Sequence, residues 1–241
     1  METMNRVANP EIADQQWKSL YRISAIVALI MVVIVPLQSY IFVAWPPPNT
    51  ALGYFTLFQN NWLLGLLSLD LLLIVNNGFL ILIYVALYAV LRRTNQPLMT
   101  IGLILSLVGV AAYFSSNTSF EMLSLSKQYA VATTEIEKSA LLATGQGMLA
   151  IYTGTAFNVY YLLNAIALLI FSVVLFRSSI FSRATAYSAL LAGAFMLVPP
   201  TAGAIGIYIS LLSLLPWAVW LILFARRLFE LARIQDGRHG T

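Results

Sequence analysis

The chain has 241 residues, 60% of them hydrophobic and only 9% charged, against roughly 25% charged in an ordinary globular domain. It contains no cysteine and a single histidine, His239, which excludes disulfide scaffolds, thiolate metal sites and zinc centres built on several histidines. The formal net charge of +4 resembles a nucleic-acid signal, but its placement along the chain fits membrane orientation instead, and no nucleic-acid partner is expected.

The N-terminal segment, residues 1–18, reads as cytoplasmic. Its stretch NPEIADQQWKSLYR predicts a short helix capped by Asn9, with Pro10 at the first helical position. Apolar runs of the length a spanning helix needs then follow at about 20–45, 62–91, 98–116, 148–176, 184–198 and 204–225. The expected fold is an all-α, polytopic membrane bundle of six transmembrane helices over residues 19–230, ending in a cytoplasmic tail, 231–241. The fifth run is the shortest because Pro199 and Pro200 stop it. The first run is too long for a secretory signal, and Ala44-Trp45-Pro46-Pro47-Pro48 makes a poor cleavage site.

Positive charge gives the orientation. In a six-span topology Arg6, Lys18, Arg22, Arg92, Arg93, Arg177, Arg183, Arg226, Arg227, Arg233 and Arg238 share one side, and Lys127 and Lys138 the other. Both termini are then cytoplasmic. Trp45 and Trp62 are expected in the outer aromatic belt, and Trp17 and Tyr21 in the inner one. The ARRLFELAR segment after the last run is a basic inner-surface anchor on anionic membrane lipid.

Two external segments have content. PPPNTALGYFTLFQNN, 46–61, has a rigid start and then aromatics, and is expected to form an interfacial or re-entrant element. The segment between the third and fourth runs carries two capping boxes, Thr118 with Glu121 and Thr134 with Glu137. It predicts a small cap of two helices extending those spans, with a turn near Thr133. Gly102, Ser106 and Gly109 in span three, and Gly147 and Gly154 in span four, have the spacing of close helix packing. Pro36 and Pro216 are expected in-span kinks.

The polar residues inside the runs are few. In span two, LSLDLLLIVNN, residues seven apart on a continuous helix nearly coincide in direction, so Asp70, Asn77 and Tyr84 share a face. Counting outward from Arg92 at ~1.5 Å per residue puts Asp70 ~33 Å away, near the outer edge of the hydrocarbon, with Asn77 ~10 Å deeper. Gln38 and Ser39, and Tyr152, Thr153 and Asn158, fall in the outer half of their spans, with Asn164 closer to mid-depth. The expectation is a polar cavity open to the outside, with Asp70 at its mouth and Gln38, Asn77, Asn158, Asn164, Tyr84 and Tyr161 as further candidate ligand-binding residues. The alternative is that Asp70 reaches interfacial water and the amides and tyrosines bond neighbouring helices.

No second carboxylate lies in a span, and no Ser–His pair or phosphate loop is present. No catalytic residue, metal site or cofactor is therefore assigned. Binding or moving a small molecule or lipid is the leading reading. An intramembrane lipid-modifying enzyme and a non-catalytic structural subunit stay open, as does the oligomeric state.

The stretches LLGLLSLDLLLIVNN, LYAVLRR, NTSFEMLSLSKQYA, GTAFNVYYLLNAIALLIFSVVLFRSSIFSRATAY and PWAVWLILFARRLFEL resemble the bacterial six-span proteins grouped as the domain of unknown function 4386 family. The resemblance covers most of the chain after about residue 18. It implies a single six-span domain in a bacterial cytoplasmic membrane, and it supplies no catalytic residue.

Overall fold

The computed structural model describes residues 17–237, with side chains to 233. The expected helix at Asn9–Pro10, together with Arg6, Arg238 and His239, lies outside the described residues. Those described are all-α. The helices are α1 (Lys18–Ala44), α2 (Ala51–Asn60), α3 (Trp62–Leu67), α4 (Leu71–Leu91), α5 (Gln96–Ser116), α6 (Ser119–Val131), α7 (Glu135–Tyr152), α8 (Thr155–Arg177), α9 (Arg183–Met196) and α10 (Gly203–Gly237).

Five stretches are long and apolar enough to cross a membrane: Lys18–Ala44, Leu71–Leu91, Gln96–Val131, Glu135–Arg177 and Gly203–Arg233. The chain thus has the makings of a multi-pass membrane protein. Large apolar side chains face outward, among them Val33, Val43, Ile205 and Leu215, as a lipid solvent requires. The segment expected as the fifth span forms α9, whose 14 residues reach only ~21 Å at ~1.5 Å per residue, short of the ~30 Å hydrocarbon. It is capped at its start by the Ser182 side chain, which accepts from Thr185 N. It stops before Pro199–Pro200, because the residue preceding a proline is pushed out of the helical region.

The chain divides into two compact units. One comprises residues up to Ile30, Phe79–Val108 and Tyr161 onward; the other comprises Met31–Gly78 and Gly109–Tyr160. In the first, α9 packs along α10. Phe181, Phe224 and Trp220 stack in series there, with ring centroids 5.7 Å apart at each step. Gly102 earns its packing role: a Cβ there would lie 2.5 Å from the Phe171 ring. The Arg92 guanidinium sits over the Trp17 ring, 5.8 Å from its centroid. Tyr21 is fully buried.

In the second unit α2 and α3 build a small core with α6 and α7. Tyr54, Phe55 and Phe58 of α2 pack with Leu66, Leu69 and Met122, so α2 is a packed helix. Thr50 caps it by accepting from Gly53 N. Gly65 and Gly145 give α2 its room, since a Cβ on Gly65 would meet the Phe58 ring at 2.3 Å and one on Gly145 the Phe55 ring at 2.8 Å. Gly147, expected to pack, faces open space. The α6–α7 cap turns at 132–134, and the Thr134 side chain accepts from Glu137 N as its capping box predicts. Thr118 does not cap α6. Its hydroxyl donates to Met148 O, and Asn117 Oδ1 accepts from Ser119 N in its place.

Candidate functional site

The run expected as span two is broken near its start. α3 ends at Leu67, residues 68–70 form a turn, and α4 starts at Leu71; α4 alone is long and apolar enough to cross a membrane. Asp70 has φ +67°, the one positive φ among the described non-glycine residues. This left-handed conformation is one that Asp and Asn tolerate better than most residues. The Asp70 carbonyl accepts from Ile74 N at 2.9 Å, so a new helix starts from it. The expected alignment of Asp70 with Asn77 and Tyr84 therefore fails at Asp70, which is not on the helix that carries the other two.

A break leaves carbonyls without helical donors, and in an apolar surrounding each needs another one. Three side chains from three separate stretches supply them. Gln38 Nε2 donates to Leu67 O at 2.8 Å, Tyr54 Oη to Ser68 O at 3.4 Å, and Asn117 Nδ2 to Leu69 O at 3.0 Å. Burial, followed by the neighbouring Asp70 carboxylate, holds the Tyr54 hydroxyl above the usual tyrosine range, so it remains protonated as a donor.

The Asp70 side chain is buried, with 4% of the residue exposed. Its Oδ2 accepts from Tyr152 Oη at 2.5 Å, and its Oδ1 has no hydrogen-bond partner among the described residues. The lysines of this unit lie in the cap. Lys127 is exposed, and Lys138 pairs with Glu135 at 3.3 Å. A buried carboxylate with one donor and, among the described residues, no cation paired with it is poorly compensated.

Tyr152 is itself at a break. It is the last residue of α7; Thr153 and Gly154 interrupt span four before α8 begins at Thr155. Gly154 suits this place because a Cβ would meet the Ala150 carbonyl oxygen at 2.7 Å. Asn158 Nδ2 turns back to donate to Gly154 O at 2.8 Å. Two helix breaks are thus joined by one hydrogen bond between residues 82 apart in sequence. The Tyr113 and Tyr160 rings pack against each other, with centroids 5.0 Å apart and planes tilted by 54°, and Tyr160 interacts with the buried Asn77 side chain. Asn77 Nδ2 donates to Leu73 O at 2.9 Å, while its Oδ1 has no partner among the described residues.

Of the seven residues expected in one cavity, Gln38, Asp70, Asn77 and Asn158 belong to this unit, and Tyr84, Asn164 and Tyr161 to the other. In that other unit Tyr84 Oη donates to Asn164 Oδ1 at 2.6 Å, both residues buried, and Tyr161 is half-buried. Tyr54, Ser68, Asn117 and Tyr160 were not anticipated. Asn117, directly after span three, offered the clearest signal of them, since a side-chain amide at a span end is suited to serving free backbone groups. Among the described residues no three of His, Cys, Asp or Glu are grouped to hold a metal. No family model, curated protein or solved structure matches the chain.

Proposed function

We propose that this is a bacterial cytoplasmic-membrane protein of six crossings, both termini cytoplasmic, whose paired helix breaks bind a small molecule or lipid for passage across the bilayer. The even number of crossings keeps eleven of the thirteen Lys and Arg residues on one side, with α9, short as it is, making the fifth. Membership of the domain of unknown function 4386 family is part of this proposal and rests on the stretches quoted above.

The observation that carries the binding reading is the Asp70–Tyr152 hydrogen bond between two helix breaks. Interrupted helices are tolerated at membrane depth where their free backbone is buried in protein or lines a cavity, and in transporters such breaks are where substrates and ions are held. An interruption that only filled space would not need a buried, unpaired carboxylate at its centre.

The test is native mass spectrometry and lipid extraction of the purified protein, comparing wild type with Asp70→Asn and Tyr152→Phe. A bound species retained by wild type and depleted in both variants is expected. If wild type and variants carry the same species in the same amounts, the site does not bind them, and the role of a structural subunit takes its place.

A further inference from the structure

The buried side-chain atoms around the α3–α4 break that lack a hydrogen-bond partner among the described residues share one chemistry. They are Asp70 Oδ1, Gln38 Oε1 and Ser68 Oγ, on residues 4%, 2% and 1% exposed. All are oxygens. Ser68 and Asp70 belong to the turn itself. The Gln38 amide is anchored to that turn through its Nε2–Leu67 O bond of 2.8 Å, which keeps its oxygen beside the break. One turn and more into α4, Asn76 Oδ1 and Asn77 Oδ1 are also without partners. The side-chain nitrogens that lack partners, Trp220 Nε1 and Arg227 Nε, belong to the other unit. What this turn lacks among the described residues is positive charge, so an anion does not fit it; the Ser68 hydroxyl can offer its oxygen lone pairs to a cation.

The kind of cation follows from charge and room. Oxygen ligands alone select a hard ion over a soft one. A single carboxylate balances a single charge, whereas calcium sites ordinarily draw on several carboxylates, and magnesium keeps much of its water. Leu69, Phe55 and Met122, packed around the break, are fully buried, which favours a small ion over an organic ammonium. The Tyr152 hydroxyl occupies Oδ2 and thereby leaves Oδ1 as the charged ligand atom. Carbonyls freed at interrupted helices are where transporters hold Na⁺.

We propose that the α3–α4 break is an alkali-cation site, with Na⁺ as its occupant and the oxygens of Asp70, Gln38 and Ser68 as its side-chain ligands. This rests on reading the break as a binding site, and it names the ion that accompanies the ligand there.

The experiment is a thermal melt of the purified full-length protein in detergent, titrated with NaCl and balanced by choline chloride at constant ionic strength. KCl runs in parallel, and radioactive sodium binding is measured on the same samples. Since a ligand of the folded state stabilises in proportion to the logarithm of its concentration above Kd, the wild-type melting temperature is expected to climb with log[Na⁺] and to stay flat in choline. Asp70→Asn, which keeps an acceptor for Tyr152 but loses the charge, is expected to lose both the climb and the bound sodium. Ser68→Ala is expected to fold and to shift the half-saturating Na⁺ concentration upward by about tenfold or more, as loss of a supporting ligand does. It carries the test by itself should Asp70→Asn fail to fold. Equal shifts in sodium and choline, or equal sodium responses in wild type and Ser68→Ala, overturn the proposal. Sodium binding with no co-purified molecule sinks the ligand reading and leaves this one standing. A retained molecule lost in Asp70→Asn, with sodium inert, does the reverse.

Discussion

Replacing Tyr152 by Phe removes one hydroxyl and leaves the Asp70 carboxylate buried, with neither oxygen bonded to a side chain among the described residues. A hydrogen bond to a charged group contributes about 1.5–3 kcal/mol, and a neutral one about 1 kcal/mol. Asp70→Asn keeps an acceptor of the same shape but removes the charge, so in that background Tyr152→Phe is expected to matter by only the neutral amount. The two changes should therefore couple by about 0.5–2 kcal/mol in a double-mutant cycle. Interhelical hydrogen bonds in a membrane average about 0.6 kcal/mol by the same kind of cycle, so the expected coupling runs from the ordinary case to well above it. At roughly 2–4 °C per kcal/mol for a chain of this size, the single change lowers the melting temperature by about 3–12 °C, and the coupling amounts to a few degrees. The assay is tryptophan-fluorescence melting at a fixed heating rate, in sodium-free buffer, since membrane proteins often unfold irreversibly. A cycle that closes additively refutes the argument that Asp70 is a poorly compensated charge.

The two glycines of α7 should behave oppositely. Gly145→Ala puts a methyl 2.8 Å from the Phe55 ring and 3.0 Å from Ala51 Cβ and is expected to destabilise by about 1–3 kcal/mol; Gly147→Ala, in open space, is expected to be neutral or to stabilise by up to about 1 kcal/mol, both read by the same melts. The absence of cysteine from the chain makes topology testable without background. Glu137→Cys in the exposed part of the cap should react with an impermeant maleimide on intact cells, and Arg93→Cys only after lysis; the opposite pattern inverts the orientation.

What the sequence announces and what it conceals divide along the range of the forces. The long apolar helices follow from composition, and the Thr134 cap from a pattern four residues long. Thr118 carries the same pattern, yet its hydroxyl goes to Met148 O, 30 residues away, and an adjacent asparagine takes over the cap. Gly145 and Gly147 look alike in sequence, and only the position of α2 distinguishes them. The interruption at Asp70 was hidden for the same reason. LSLDLLL contains no glycine or proline and is rich in leucine, so local propensity favours continuous helix. Asp70 stood out as an ionisable residue in an apolar run. Its partner Tyr152 could be placed only by depth, because tyrosine is common at span ends. Of the residues that serve the break, Asn117 is marked by its place at a span end, whereas nothing local in the sequence ties Gln38 or Tyr54 to that turn.

The donors that complete the α3–α4 break lie 29, 14 and 48 residues from the carbonyls they serve, and Tyr152 lies 82 from Asp70. During synthesis Asn117 and Tyr152 emerge well after residues 62–91. Gln38 and Tyr54, which serve Leu67 and Ser68, are already made when the turn is synthesised, whereas the Leu69 carbonyl waits for Asn117 and the Asp70 carboxylate for Tyr152. Completion of the break therefore depends on stretches made later, and a buried group left without its donor costs about 1–3 kcal/mol.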